Sequence, residues 1–342
     1  MKLDLRSLTF HELEAALENL GEEKFRAKQV FPWVHKTGVA SFEEMANVPK
    51  ALRENLSQNF EIASLKKIQV QVSKDGTKKY LLGLADGNAV ESVLLDDEGR
   101  RTICLSTQVG CRMNCSFCAT AKVKFKRNLT AGEIVSQVIE IEKENGNISN
   151  LVYMGMGEPL DNYDNVIKSV RILNHPLGKN IGQRKITVST CGLVPEIEKF
   201  AKEDLQVRLA VSLNAPNDRT RDKLMPVNKK YPIEKLLHAV EAYSVKTGRR
   251  VTVEYAMIKG MNDSIKDAEE LALLLKGARS NINLIAFNPF EGCRLLPSPP
   301  EAIKQFREVL EANGFEVAQR FRRGVDIDAA CGQLTGKYEA QK

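Results

Sequence analysis

No apolar run in the 342 residues approaches the ~18 that a membrane-crossing helix needs, which excludes a helical membrane protein. The opening stretch MKLDLRSLTFHELEAALENL carries acids and lacks the apolar centre of an export signal, so a cytoplasmic location is expected. Cysteine is scarce, at seven residues, and in a cytoplasmic chain these point to metal or catalytic roles rather than a disulfide framework. Internal repeats and low-complexity segments are absent. A large charge imbalance is absent too: 50 basic against 44 acidic residues leave +6, which permits a nucleic-acid partner without requiring one. Core-forming residues are not lacking. A 43% hydrophobic and 27% charged composition is that of an ordinary globular chain, and the length suggests about two domains.

Residues 1–95 read as an α+β accessory unit. Thr9-Phe10-His11-Glu12 is a capping box opening a helix that Gly21 stops. A second helical stretch spans 24–36 and is interrupted by Pro32; a third begins near Pro49. IQVQV, KYLLGL and AVESVLL then read as three strands separated by KDGTK and ADGN turns. From 96 to 320 the texture alternates between strand and helix. Strands are expected at 102–108, 150–155, 185–190, 207–213, 251–258 and 282–288. Six such units predict an α/β fold with a parallel sheet curved into a partial (β/α)6 barrel, whose chemistry sits at the C-terminal strand ends. Residues 321–342 form a separate C-terminal segment.

The strongest motif follows the first barrel strand. Cys111, Cys115 and Cys118 stand in a C-x3-C-x2-C spacing, and three thiolates within eight residues suit an iron–sulfur cluster with one iron left open. A structural zinc site wants a fourth ligand, and no His or further Cys follows in that loop. The second strand ends in MGMGEPL, with Gly157 and Glu158. Small polar residues stand at later strand ends: Ser189, Ser212-Leu213-Asn214 and Asn288. Singly each reads as a turn former or helix cap; together they resemble a ring of hydrogen-bonding groups around one ligand.

This spacing resembles the radical SAM superfamily. Within it, the segments CLSTQVGCRMNCSFCAT, MGMGEPL, STCGLVP, SLNAPND, RDKLMPVN, NPF and GVDIDAACGQL are similar to the RlmN/Cfr family of RNA methyltransferases, and the likeness covers nearly the whole chain. The resemblance implies a 4Fe-4S cluster on Cys111, Cys115 and Cys118. It implies S-adenosylmethionine chelated at the open iron and bound by Gly157, Glu158, Ser189, Ser212, Leu213, Asn214 and Asn288. It implies methylation of adenine C2, an electron-poor carbon that cannot attack a methyl group directly. Cys331 would be methylated by one S-adenosylmethionine. A second would be cleaved to a 5′-deoxyadenosyl radical that takes hydrogen from the S-methyl group, and the methylene radical would add to the ring. Cys104 would release the RNA by a transient disulfide with Cys331, and Glu91 would accept the ring proton.

The implied substrates are 23S rRNA, before ribosome assembly is complete, and tRNA. A one-electron reductant such as flavodoxin or ferredoxin is also implied, with a monomeric enzyme. C8 methylation, as in Cfr, is the alternative; Pro159 and STCGLVP look more like the C2 branch. Two basic runs with interleaved aromatics, Lys122–Arg127 and Arg320-Phe321-Arg322-Arg323, suit RNA phosphates and bases, and either could equally be a solvated face. Arg26, Lys28, Lys36, Lys66 and Lys67 could extend that surface. An iron–sulfur redox sensor that binds nucleic acid would use the same three cysteines, but leaves Cys104, Cys331 and the strand-end residues without work.

Overall fold

The computed structural model describes residues 2–97, 99–320 and 322–336. Strand β1 (Leu3–Asp4) pairs in parallel with β2 (Phe60–Glu61), and three helices lie between them. The Thr9 capping box forms reciprocally with Glu12 and starts α1 (Phe10–Asn19). Pro32 closes α2 (Ala27–Pro32), and the chain continues as a wider π turn over Trp33–Thr37. A proline brings no N–H to the helical ladder, so the interruption falls where it was expected. Helix α3 (Lys50–Asn59) begins directly after Pro49, which serves as its cap rather than its first residue.

One buried polar side chain ties this helical unit to the rest, and a second is buried within it. Arg6 is fully buried and donates to the carbonyls of Val39 (2.8 Å) and Ala63 (2.7 Å) and to the Ser136 hydroxyl (3.2 Å). His35 is 1% exposed and packs on Phe31 with ring centroids 4.2 Å apart. Burial, with the charges of Arg6, His175 and Lys179 adding to it, drives its imidazole from 6.5 down to about 3. The unfolded chain therefore binds a proton that the folded chain refuses. The stability contributed by neutral His35 is complete above pH 6.5 and is lost as the pH falls towards 3, at ~1.4 kcal/mol per pH unit. Urea midpoints measured between about pH 7 and pH 4 should fall more steeply for the native chain than for His35→Leu. Parallel slopes would contradict this.

One ten-stranded sheet carries the remainder. Strands β3 (Lys66–Val72), β4 (Lys78–Gly83) and β5 (Ala89–Asp97) are antiparallel, and β5 pairs antiparallel with β6 (Arg100–Cys104). The three N-terminal strands thus extend the barrel sheet at one edge. A small antiparallel clip, β7 (Gln108–Val109) with β8 (Arg127–Asn128), follows β6. The sheet then runs in parallel through β9 (Asn150–Tyr153), β10 (Ile186–Thr190), β11 (Arg208–Ser212), β12 (Val251–Met257) and β13 (Ser280–Ala286). These are the six expected strands. A seventh parallel strand, β14 (Val317–Arg320), adds to β13. Its sequence VAQR is short and half-polar, as an outer strand with one free edge can be, and gives no alternating or apolar signal.

Helices cover the sheet: α4 (Ala131–Asn145), α5 (Tyr163–Asn174), α6 (Val194–Phe200), α7 (Asp218–Leu224), α8 (Ile233–Thr247), α9 (Ile265–Leu274) and α10 (Pro300–Ala312). Capping boxes at Thr130/Glu133 and Ser264/Asp267 start α4 and α9. The predicted α/β partial barrel is the observed architecture. Along the parallel strands buried residues such as Ile186, Val188, Ile282 and Leu284 alternate with half-buried ones such as Thr187, Ser189 and Asn283.

Candidate active site

A cavity of about 440 Å³ opens at the C-terminal ends of the parallel strands, within the size range of small-molecule sites. Every parallel strand contributes: Cys104 from β6, Met154, Gly155, Gly157 and Glu158 after β9, Ser189 and Thr190 from β10, Ser212 and Asn214 from β11, Glu254 from β12, Asn288 after β13 and Arg320 from β14. Cys111, Cys115, Cys118 and Cys331 line the same space.

The three-cysteine loop is a long hairpin closed at its base by β7 and β8. The Ser116 N–H donates to Leu224 O (2.9 Å) at the end of α7, and the Ala119 N–H donates to Gly332 O (2.7 Å) in the C-terminal segment. Asn114, between Cys111 and Cys115, turns the loop in the left-handed region (φ 55°). Burial pushes the Cys111 thiol up to about 12, and raises Cys115 and Cys118 as well. Such thiols ionise readily only beside a strong positive centre such as bound iron. Among the described residues, no three His, Cys, Asp or Glu side chains converge on a point that one ion could fill. Three separate thiols would instead suit a cluster of several irons.

Gly155 and Gly157 are required by packing. A Cβ at Gly155 would stand 2.7 Å from the Leu105 carbonyl, and one at Gly157, which has φ 104°, 2.7 Å from Gln108 Cβ. What comes close to these glycines is the loop after β6. Glu158 is 4% exposed. Its Oε2 accepts from the Cys191 N–H (2.8 Å) and its Oε1 from the Leu160 N–H (3.0 Å). Burial raises its carboxyl, and those N–H groups oppose the rise. Asn214 takes φ 57° and spends its amide on the protein: Oδ1 accepts from the Ala256 N–H (2.8 Å) and Nδ2 reaches Met225 Sδ (3.3 Å). Leu213 is 1% exposed and lies in the core, outside the cavity lining.

Asn288 is 3% exposed; its Nδ2 donates to Cys331 O (3.2 Å), while its Oδ1 has no partner. Glu254, 4% exposed, also leaves Oε2 without a hydrogen bond, 3.9 Å from Arg320. Two buried acceptors facing one cavity fit a ligand rich in N–H or O–H donors, as the ammonium, hydroxyls and amine of S-adenosylmethionine are.

Cys104 and Cys331 share this cavity. Burial pushes the Cys104 thiol up to about 12; the charge of Cys331 adds to the rise and Arg320 opposes it. Cys331 is exposed within the cavity mouth, and the protein around it still raises its thiol. All seven cysteines are free. Glu91 does not line the cavity. It is 3% exposed, paired with Lys79 (3.1 Å), and covered by the C-terminal segment.

Several site residues were not anticipated. Glu254 is a carboxylate inside the apolar run VTVEYAM, and that mismatch was the signal that could have found it. Arg221 is fully buried and donates to the carbonyls of Cys191 (2.7 Å), Ser212 (3.2 Å) and Leu213 (3.0 Å), which braces β10 against β11. Asn262 does similar work between Asn214 and Ala256. Neither is announced by its surroundings in the sequence.

The basic runs divide. Lys122, Lys124 and Lys126 are exposed. Arg127 is held by Asp86 (2.6 Å) and Glu133 (2.8 Å), and Phe125 lies under Arg112 (3.7 Å). In the second run Arg320, Arg322 and Arg323 line the cavity, and Arg323 pairs with Asp97. Phe321 lies outside the described residues.

Comparison with known proteins agrees with this geometry. The Radical SAM superfamily pattern matches residues 105–275, and that of the ribosomal RNA large subunit methyltransferase N-terminal domain matches residues 3–62. A relative in Bacillus cytotoxicus, described as a probable dual-specificity RNA methyltransferase RlmN, is 48% identical across 100% of this chain and 95% of its own length. A Bacillus cereus relative with the same description is 47% identical over the same shares. The crystal structure of a radical SAM methyltransferase from Sphaerobacter thermophilus superposes with a TM-score of 0.93 at 44% identity, covering 98% of this chain and 100% of that one. The chain therefore belongs to the radical SAM superfamily and, within it, to the RlmN family of dual-specificity RNA methyltransferases.

Proposed function

We propose that this enzyme methylates C2 of an adenine in 23S rRNA and in tRNA, with Cys331 as methyl carrier and Cys104 as resolving thiol. The observation that carries this reading is that both cysteines line one cavity with Cys111, Cys115 and Cys118. Members of the superfamily use a 4Fe-4S cluster and S-adenosylmethionine. When bound, the pair supplies the methyl group and a one-electron route to an adenine carbon too electron-poor to attack it.

Cys111, Cys115 and Cys118 hold the cluster. Glu158, Ser189, Ser212 and Asn288 orient S-adenosylmethionine from four strand ends, with Gly157 and Asn214 shaping the wall and Leu213 contributing through its backbone. The Cys331 sulfur holds the one-carbon unit over the base, and Cys104 frees the RNA by closing a transient disulfide. Glu91 takes the ring proton once the segment that covers it has moved. Residues 1–95 dock RNA, 96–320 form the barrel, and 321–342 carry Cys331. The enzyme works in the cytoplasm as a monomer, fed by flavodoxin or ferredoxin. No helix among the described residues is long and apolar enough to cross a membrane.

The test is nucleoside mass spectrometry of unmodified rRNA and tRNA transcripts after reaction. 2-Methyladenosine is expected, and 8-methyladenosine would move the enzyme to the C8 branch. Docking has its own test. Lys124→Ala with Lys126→Ala should weaken RNA binding and lower its salt slope by about two, one for each phosphate left without its lysine. An unchanged slope would reduce this run to a solvated face.

A further inference from the structure

The C-terminal segment is gripped by the N-terminal strands on both sides of Cys331. Lys79 of β4 and Glu91 of β5 are diagonal neighbours on one face of the sheet, and their side chains are 11% and 4% exposed. Lys79 Nζ is ion-paired with Glu91 Oε1 (3.1 Å) and donates to the Asp328 carbonyl (3.3 Å), three residues before Cys331. Glu91 Oε2 accepts the N–H groups of Thr335 (2.6 Å) and Gly336 (2.9 Å), just after it. Upstream, the β3–β4 turn holds the start of the segment. The Ser73 hydroxyl donates to Asp326 (2.5 Å), and the Gly324 N–H donates to Asp75 (2.8 Å).

We propose that Lys79 is a positioning residue: with Glu91 it buckles the Asp328–Gly336 segment across the cavity mouth and so sets where the Cys331 sulfur stands. The proposal rests on the reading of Cys331 as methyl carrier. One ion pair fastens both ends of the loop, so the two ends open together. While the buckle is closed, both oxygens of the Glu91 carboxylate are engaged, one by an ammonium and the other by two N–H groups. Opening releases the loop and exposes that carboxylate in one event. Loop movement and base availability are thereby coupled, which a carrier that must visit cofactor, substrate and resolving thiol requires.

Hydrogen exchange of the native-length protein, read by mass spectrometry, tests the buckle. Lys79→Met keeps the apolar stem and removes the ammonium. It should speed exchange in peptides covering Asp328–Gly336 about tenfold, the factor that ~1.4 kcal/mol of lost closure gives. Peptides from β12 and β13 should keep their rates, and Lys79→Arg should restore slow exchange. Should Lys79→Met fail to fold, Glu91→Gln, of the same shape, carries the same test. Unchanged exchange in the segment, or equal acceleration throughout the sheet, overturns the proposal. Methyl transfer to Cys331, measured on the same samples, reports the carrier role separately. A native enzyme never methylated at Cys331 would remove that role and leave the exchange result standing.

Discussion

Cys104→Ala enzyme supplied with RNA, S-adenosylmethionine and reductant should stall as a covalent protein–RNA adduct, and Cys331→Ala enzyme should form none. Both cysteines line the cavity, but the proposed steps need them in turn. Without Cys331 no sulfur holds the one-carbon unit, so neither protein nor RNA is methylated. Without Cys104 the carrier still loads and still reaches the base, and only release fails, because the thiol proposed to close the disulfide is gone. Burial holds the Cys104 thiol high. Denaturing gels run before and after nuclease digestion would display the adduct. Normal turnover by Cys104→Ala, or an adduct in Cys331→Ala, contradicts the assigned roles.

Equally complete loss is expected at the three-cysteine loop. Replacing Cys111, Cys115 and Cys118 with Ala should abolish iron binding after anaerobic reconstitution, where the native protein should hold about four irons at this site. Methylation should vanish with the iron. The fold should persist, because the loop is closed at its base by β7 and β8 and its backbone is tied to Leu224 and Gly332 without using the thiols. Iron content, absorption and circular dichroism together check this. Stoichiometric zinc in protein purified without oxygen, with no iron–sulfur absorption after reconstitution, would contradict it.

Much of the fold was legible because its strands are short runs rich in β-branched and apolar residues, and LVYMG, ITVST and VRLAVSL are such runs. The capping boxes were legible because Thr9/Glu12 bonding is local. Strand β14 was not, since VAQR gains its place only by pairing with β13. The cysteine loop announced itself by spacing, whereas Cys104 and Cys331, which line its cavity, and Glu91, which lies outside it, were named only through family resemblance. The Lys79–Glu91 pair joins two strands to a segment more than two hundred residues away, and no local pattern encodes such an arrangement. Arg221 likewise works through carbonyls on two distant strand ends. The glycines of MGMGEPL were visible, but the reason for them was not: they make room for protein rather than ligand.

An isotope trace tests the carrier role of Cys331 most directly. Enzyme first loaded with S-adenosylmethionine bearing a deuterated methyl group, then freed of it, is given RNA with unlabelled S-adenosylmethionine and reductant. Mass spectrometry of the nucleosides from the first turnover should find 2-methyladenosine carrying deuterium, inherited from Cys331. First-turnover product carrying only the unlabelled methyl group would contradict the account.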